Sequence, residues 1–172
     1  KKLVIGLPVV LLFSVHTHMA SRARKAMDIK EISDRIEIEK LVTDYATAVD
    51  TRNFTELNNL FTQDAHIDYT AVGGIAGNLK EIIKYLEIAL DFFPNYQHFI
   101  SNISLKIEGL EANGKVMCFN PMQTEDKNVF FLGLWYQDTY KKIDNQWFIS
   151  SRVEERSWSH NVPESINTEK AE

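Results

Sequence analysis

The stretch "LVTDYATAVDTRNFTELNNLFTQDAHIDYT", residues 41–70, joins a helical pattern to a strand pattern and contains an acid between two tyrosines. Apolar residues recur at helical spacing over residues 38–49, which predicts an amphipathic helix that ends at Asp50. A helix C-terminus carries partial negative charge, so a carboxylate there is electrostatically unfavourable. The position of Asp50, bracketed by Tyr45 and Tyr69, therefore needs an explanation.

Two further helices and a strand are predicted beyond this helix. Asn53, with Glu56 three residues later, resembles a capping box that begins a second, short helix. In "AHIDY", residues 65–69, apolar and polar side chains alternate as they do in a half-buried strand. Asn78 and Glu81 form another capping pair, which predicts the start of a third helix.

The chain after Pro94 is predicted to consist of long antiparallel strands. The dipeptides Asn113-Gly114 and Asp144-Asn145 are turn signals, and each is expected to join two strands as a hairpin. Helices collected on one face of such a sheet give an α+β fold. We therefore expect a cone-like, curved antiparallel sheet wrapped around three N-terminal helices, with an internal apolar pocket.

Composition limits the class of protein. A chain of 172 residues with 44% hydrophobic and 11% aromatic content can bury one good core, which indicates one domain. The net charge of -5 argues against a nucleic-acid partner, because nucleic-acid binders carry a basic face. The single cysteine, Cys118, excludes an internal disulfide and a thiolate metal cluster. No two histidines of the predicted domain have the spacing of ligands on a helix, so no metal is expected.

Residues 1–26 are interpreted as a leader, ahead of a folded domain at residues 27–160 and a tail at residues 161–172. Two lysines and the apolar run at residues 3–13 fit a secretory signal, which would make the protein secreted or periplasmic. The alternative is a native start at Met27, after an upstream extension or a cloning remnant, which would make it cytoplasmic. The apolar run is too short for a stable membrane span.

A resemblance to a known family covers residues 30–158, most of the folded chain. Four features carry it: the segment "EIEKLVTDYATAVDTRNFTELNNLFTQDAHIDY", a glycine-containing loop followed by a helix, "QHFISN", and the late "WFISSR". Together they resemble the SnoaL-like branch of the nuclear-transport-factor-two-like superfamily. Within that branch the chain is similar to bile-acid 7α-dehydratases and scytalone dehydratases. The resemblance to the bile-acid enzymes implies four catalytic residues: Tyr45, Asp50, Tyr69 and His98.

The resemblance also bears on substrate binding. A basic residue anchors the substrate in this family, and Arg152 and Arg156 compete for that role, with Arg152 as the prediction. Asn102 shares strand parity with His98 and is predicted to bind substrate as well. Scytalone dehydratases use a second histidine on a later strand, and residues 118–120 contain none. That difference argues against the scytalone substrate itself.

Each of these residues also has an ordinary structural explanation. Asp50 could begin a turn, which is a common use of aspartate. Tyr45 and Tyr69 lie on the apolar faces of their elements and could be core residues that need one hydrogen-bond partner each. A lone histidine such as His98, at the start of a strand, is more often structural than catalytic. Taken one at a time, the four residues favour packing.

Taken together, they favour catalysis. A carboxylate such as Asp50, when paired with His98, fixes the imidazole tautomer and makes a general base that works near neutral pH. Phenol hydroxyls in an apolar cavity can donate hydrogen bonds to a carbonyl oxygen as it becomes an enolate. This chemistry needs no cofactor. It supports a dehydratase that acts on a small hydrophobic hydroxy-carbonyl substrate, an isomerase or cyclase with the same pair, or a non-enzymatic ligand-binding domain.

Apolar side chains on both faces of the long strand near residues 128–143 predict self-association. One face is expected to line the pocket: Phe130, Leu132, Leu134 and Tyr136. The other face is expected to need cover: Phe131, Trp135 and Tyr140. A second subunit is the simplest cover, so a homodimer or higher oligomer packed sheet to sheet is expected, although the leader or the tail could serve instead.

Overall fold

A computed structural model of the chain describes residues 26–164, so the predictions for residues 1–25 and 165–172 lie outside the described residues. Within the described part there are three α-helices: α1 (Ile29–Asp50), α2 (Leu57–Leu60) and α3 (Leu79–Ala89). The same part contains seven strands: β1 (Phe61–Asp68), β2 (Ala76–Asn78), β3 (Asn95–Tyr96), β4 (Phe99–Glu108), β5 (Glu111–Gln123), β6 (Val129–Ile143) and β7 (Gln146–His160). Among these residues, no helix is long and apolar enough to cross a membrane.

The seven strands form one curved sheet in the order β2-β1-β7-β6-β5-β3, with β4 also paired to β5. Neighbouring strands are antiparallel except for β1 and β7, which run parallel. The predicted cone-like α+β fold is therefore confirmed, and its sheet is mixed rather than wholly antiparallel. Residues 69–145 separate β1 from β7, which supplies the long connection that a parallel pair requires. The core lies between the sheet and the helices α1 and α3.

The helix α1 buries its apolar stripe as predicted and ends at Asp50 through its backbone hydrogen bonds. The N–H of Asn53 donates to the carbonyl of Ala48 at 2.8 Å, and the N–H of Arg52 donates to the carbonyl of Val49 at 3.0 Å. These are the two bonds of a Schellman motif, in which the residue after the cap is left-handed. Arg52 occupies that position with φ of 57°. The chain therefore turns sharply just after Asp50.

Only one of the two predicted capping boxes forms. Asn78 and Glu81 bond reciprocally at the start of α3: the Glu81 N–H donates to Asn78 Oδ1 at 3.1 Å, and the Asn78 N–H donates to Glu81 Oε2 at 2.9 Å. The box predicted at Asn53 and Glu56 is wrong, because the Asn53 side chain makes no capping bond. Its oxygen accepts from the Thr55 hydroxyl at 3.0 Å instead, and a 3₁₀ turn leads into a short α2.

The turn predicted between the last two strands is confirmed. Ile143 of β6 pairs with Gln146 of β7, so Asp144 and Asn145 form a two-residue hairpin turn. Both turn residues are left-handed, with φ of 47° and 66°. This is the backbone of a type I′ turn, which Asp and Asn tolerate better than other non-glycine residues.

The turn predicted at Asn113-Gly114 is wrong, because both residues lie inside β5. The hairpin between β4 and β5 turns at Gly109 and Leu110 instead, with φ of 68° at Gly109, a conformation that glycine adopts without strain. Gly114 serves close packing, since a Cβ there would lie 2.9 Å from the ring of Tyr140. A glycine that is needed for close packing, such as Gly114, cannot be distinguished in the sequence from a glycine that is needed for a turn, such as Gly109.

A bulge in β4 moves Asn102 away from the face that His98 uses. The pairing of β4 with β5 shifts between Ser101 and Ser104, and Asn102 is left-handed with φ of 46°. Past the bulge it is Ile103 that packs against the core, while Asn102 is exposed. A bulge inserts one extra residue and so reverses the alternation of faces beyond it.

A second bulge, in β7, decides which late residues face inward. The register with β6 shifts between Ile149 and Ser151, so Ser150 is the extra, unpaired residue of the bulge. Ile149 faces the core before the bulge, and Arg152 and Glu154 are buried after it. Strict alternation from Ile149 would have pointed both charged side chains outward.

The two faces of β6 match the prediction except at one residue. Phe130, Leu132, Leu134 and Tyr136 are all buried on the inner face. Tyr140 was assigned to the outer face with Phe131 and Trp135, and this is wrong, because it has the parity of the inner residues. It is buried there and donates a hydrogen bond from its hydroxyl to Asp138 at 2.8 Å.

Candidate active site

Asp50 and His98 lie in direct contact. Asp50 Oδ1 is 2.6 Å from His98 Nδ1, and the backbone N–H of His98 donates to Asp50 Oδ2 at 3.0 Å. Their side chains are only 20% and 10% exposed, respectively. An ionised carboxylate can only accept hydrogen bonds, so Nδ1 of a neutral His98 carries the proton and Nε2 is left with a free lone pair. A histidine held in this way can serve as a general base.

The contact also explains why an acid stands at the end of α1. The two N–H donors of His98 offset the unfavourable field of the helix C-terminus at Asp50. Tyr96 fixes the segment before His98 to the same helix end, because its hydroxyl donates to the carbonyl of Val49 at 2.9 Å. That carbonyl belongs to the last turn of the helix, where it also accepts from the N–H of Arg52.

Tyr45 and Tyr69 form a hydrogen-bonded pair, with 2.7 Å between their hydroxyl oxygens. Both side chains are buried, and burial raises the pKa of each hydroxyl well above its ordinary value. Both hydroxyls therefore stay protonated in the physiological range. Since one of them donates to the other, the proton of the acceptor hydroxyl is free to be donated to a ligand. Tyr45 also packs edge-on to the His98 ring, with the ring centroids 6.5 Å apart.

The tyrosine pair and His98 line one cavity between α1, α3 and the inner face of the sheet. The cavity has a volume of about 110 Å³ that water could fill. Since a cavity needs only about 10–15 Å³ in this measure to hold one water, there is room for several water molecules or a small compound. Much of the wall is apolar, including Val49, Leu86, Phe93, Met122, Phe130 and Leu132.

Arg152 lies beneath the tyrosines and does not line the cavity. Its Nε and Nη2 donate to the two carboxylate oxygens of Asp138 at 2.8 Å and 2.6 Å. Its guanidinium lies between two rings, 4.1 Å from the centroid of Tyr45 and 4.0 Å from that of Tyr136. Burial alone would lower the pKa of Arg152, but the charge of Asp138 raises it well above its ordinary value. The predicted substrate anchor is thus a buried cation under the tyrosine pair.

The other two candidates for substrate binding lie elsewhere. Asn102 is exposed at the β4 bulge, with its amide nitrogen 3.8 Å from the sulfur of Met117, and it does not reach the cavity. Arg156 donates from Nε to the carbonyl of Ala71 at 2.9 Å. It thereby holds the loop after β1, whose Gly73 and Gly74 close one side of the cavity.

Glu154 is a cavity residue that the sequence interpretation missed. It is 7% exposed, lies on β7 and lines the cavity together with the tyrosine pair. Burial is the main reason that the pKa of its carboxyl is raised to about 8. The charge of Arg152 lowers this pKa, and the charges of Asp138 and Asp68 raise it further. Strict alternation from Ile149 would place it outward, and the bulge at Ser150 that turns it inward appears only in the pairing with β6.

Comparisons with known proteins agree with this architecture. The model of the SnoaL-like domain family matches residues 30–153. The uncharacterized protein Rv2910c of Mycobacterium tuberculosis is 43% identical over 133 residues, which cover 76% of this chain and 90% of that protein.

Two solved structures are similar in fold. One is a protein of Novosphingobium aromaticivorans provisionally called a scytalone dehydratase, at 24% identity and a TM-score of 0.69, covering 82% of this chain and 97% of that one. The other is a type 2 hexachlorocyclohexane dehydrochlorinase, LinA, at 17% identity and a TM-score of 0.71, covering 80% and 95%. At these identities the structures show a shared fold.

Proposed function

The chain belongs to the SnoaL-like domain family, and from that premise we propose that it is a cofactor-independent lyase that removes water from a small hydrophobic hydroxy-carbonyl compound. A substrate of polycyclic or polyketide type would suit the apolar wall. The observation that carries the proposal is the contact of Asp50 with His98 beside an apolar cavity. The names of the two structural neighbours, a dehydratase and a dehydrochlorinase, both describe eliminations and support the same class.

The proposed reaction begins with proton abstraction. The unprotonated Nε2 of His98 takes a proton from the carbon next to the substrate carbonyl, and Asp50 stabilises the imidazolium that forms. The electrons of that C–H bond move toward the carbonyl oxygen, where the free hydroxyl proton of the Tyr45–Tyr69 pair meets the developing negative charge. The enolate then re-forms its carbonyl, a carbon–carbon double bond appears, and the β-hydroxyl leaves.

The proposal is tested by hydrogen exchange and by product formation. Any ligand that co-purifies with the protein is first identified by mass spectrometry, and it guides a panel of neutral β-hydroxy ketones. Each compound is incubated with the protein in heavy water. We expect deuterium at the α-carbon by NMR, together with the absorbance of an α,β-unsaturated ketone. Exchange with migration of a double bond and no loss of water would indicate the isomerase alternative. Tight binding without exchange would favour a ligand-binding domain and sink the lyase proposal.

A change of Tyr69→Phe or Tyr45→Phe is expected to lower the rate by about tenfold or more, because one hydroxyl donates to the enolate oxygen and the other holds it in place through their hydrogen bond. The two losses should not add, since the hydroxyls act as one hydrogen-bonded unit. The measurement is α-proton exchange for the two single variants and the double variant. Losses confined to KM, with kcat unchanged, would contradict a role in the transition state.

The outer face of the sheet supports a proposal of self-association. Phe119 stacks with Phe131 and with Trp158, at centroid distances of 5.6 Å and 6.0 Å. Trp158 and Phe99 remain 50% and 52% exposed. A contiguous aromatic surface of this kind marks an interaction site, and a second copy of the chain would cover it as a homodimer or higher oligomer.

Sedimentation at micromolar concentration is expected to show a dimer or a larger assembly. Trp158→Lys should shift the protein toward the monomer, because it puts a charge into the aromatic surface. The matched control is Ile36→Lys, a change at a residue of α1 that is 62% exposed and lies away from this face. A wild-type monomer, or equal effects of the two changes, would refute the proposed interface.

A further inference from the structure

The carboxyl of Glu154 is buried on the inner face of β7. The side chain lines the cavity, and within residues 26–164 no hydrogen bond or ion pair reaches its oxygens. Arg152 is two residues away on the same face of β7. Its Nε and Nη2 bind Asp138, and its Nη1 is buried without a hydrogen-bond partner among the described residues, so its charge lowers the pKa of Glu154 without a direct bond to it. An ionised carboxylate in such a place is costly, so the position favours a neutral acid that a ligand can contact.

The position of Glu154 relative to the tyrosines follows from the register. Glu154 stands directly opposite Tyr136 across β6 and β7, and Tyr136 packs edge-on to Tyr45 with 6.0 Å between the ring centroids. A charge on Glu154 would raise the pKa of Tyr45 and of Tyr69, because the carboxyl lies close to both hydroxyls. A substrate whose carbonyl meets the tyrosine pair therefore has other atoms within reach of Glu154.

We propose that Glu154 is the acid that protonates the departing β-hydroxyl, a role that rests on the proposed lyase function. When the enolate collapses, the carbon–oxygen bond breaks and its electron pair stays on the oxygen. The Glu154 proton moves to that oxygen, so water leaves and Glu154 becomes a carboxylate. His98 by then holds the α-proton, and transfer of this proton to Glu154 through water in the emptied cavity restores both groups. The substrate is accordingly a neutral β-hydroxy ketone.

Several charged and titratable groups surround the carboxyl, and they determine whether it is neutral. They come from every neighbouring element: Tyr45, Asp68, Tyr69, Tyr85, His98, Cys118, Tyr136, Asp138 and Arg152. Burial is the largest influence on the pKa of Glu154, which lies at about 8. The carboxyl thus holds its proton at neutral pH and can act as a donor.

The decisive variant is Glu154→Gln, which keeps the shape and the hydrogen-bond donor but cannot release a proton. Its rate is compared with wild type on a β-hydroxy ketone and on the matching β-acetoxy ketone. Acetate leaves as a stable anion without being protonated. A hydroxyl group needs a proton from an acid so that it can leave as water. We expect a loss of about 10²-fold on the hydroxy compound and of less than about threefold on the acetoxy compound. The control, Glu155→Gln, changes an exposed neighbour on the other face of β7 and should leave both rates unchanged.

Exchange of the α-proton separates the two proposals. Exchange should persist in Glu154→Gln, because His98 and the tyrosines perform it. Equal losses on both leaving groups, or no loss on either, would refute the role of Glu154 while leaving the lyase proposal standing. If wild-type protein exchanges no α-proton with any compound, the lyase function fails and the role of Glu154 fails with it.

A second measurement needs no substrate. Because the folded-state pKa of Glu154 is raised from 4.5 to about 8, its contribution to stability is fully present below pH 4.5 and is lost as pH rises through about 8. Urea unfolding should therefore show wild-type protein losing stability relative to Glu154→Gln across that window. A difference that stays constant with pH would show that the carboxyl is not held neutral, and would overturn the proposal.

Discussion

Changing His98→Gln is expected to lower the rate of α-proton exchange and of dehydration by about 10²–10⁴-fold. Glutamine can keep a hydrogen bond to Asp50 but has no lone pair basic enough to take a proton from carbon. Asp50→Asn should cost less, unless the amide turns its NH₂ toward Nδ1 and reverses the tautomer, in which case the loss approaches that of the histidine change. Both variants are measured by NMR exchange in heavy water on the most active β-hydroxy ketone.

The matched control is His66→Gln. His66 is exposed on β1, so this change removes an imidazole without touching the cavity, and the rate should stay at the wild-type level. Binding of a non-reactive ketone should also survive in His98→Gln, because the apolar wall and the tyrosines remain. A His98→Gln protein that exchanges the α-proton at the wild-type rate would show that another group is the base.

The parts of this fold that follow from local periodicity could be predicted. The stripe on α1, the alternation in residues 65–69 and the cap at Asn78 all depend on neighbours close in sequence, and the structure shows each of them. The contact between Asp50 and His98 joins residues 48 positions apart. No local pattern specifies such a contact, and the family resemblance pointed to it.

The errors arise where one extra residue changes a strand. Asn102 was expected beside His98, and the bulge in β4 reverses the alternation between them. The bulge in β7 turns Arg152 and Glu154 inward together, and Glu154 was not among the predicted site residues. Bulges are set by pairing across the sheet, which a single strand does not reveal. The role of Arg152 depended on Asp138, a partner from the neighbouring strand that is visible only in the register.

The buried ion pair of Arg152 and Asp138 contributes both to the stability of the sheet and to the electrostatics of the candidate site. Arg152 is fully buried and stacks under the ring of Tyr45, so its charge acts on the tyrosine hydroxyls from below. It lowers the pKa of Tyr45, against the rise caused by burial and by Glu154. The same charge favours a negative oxygen bound to the tyrosine pair. Arg152 is thus expected to act through Tyr45, as a positioning residue, without touching the substrate.

Asp138→Ala is therefore expected to destabilise the protein by about 3–5 kcal/mol, because it leaves the guanidinium of Arg152 buried without its counter-charge. The Tyr140 hydroxyl loses its acceptor in the same change. Since domains of this size are stable by about 5–15 kcal/mol, the variant should be close to unfolding at 25 °C. Urea unfolding at several temperatures measures the loss.

Two controls separate the destabilisation caused by a buried unpaired charge from the net contribution of the Arg152–Asp138 pair to the free energy of unfolding. Asp44→Ala breaks an exposed pair with Lys40 on α1 and should cost roughly 0.5 kcal/mol. Asp138→Leu combined with Arg152→Met removes both charges and should recover most of the lost stability, because apolar groups fill the same space. That double variant should still exchange the α-proton more slowly than wild type, since Tyr45 then lacks the cation beneath it. A double variant as unstable as Asp138→Ala would mean that the packing of Arg152 between the rings, and not its charge balance, holds this part of the sheet together.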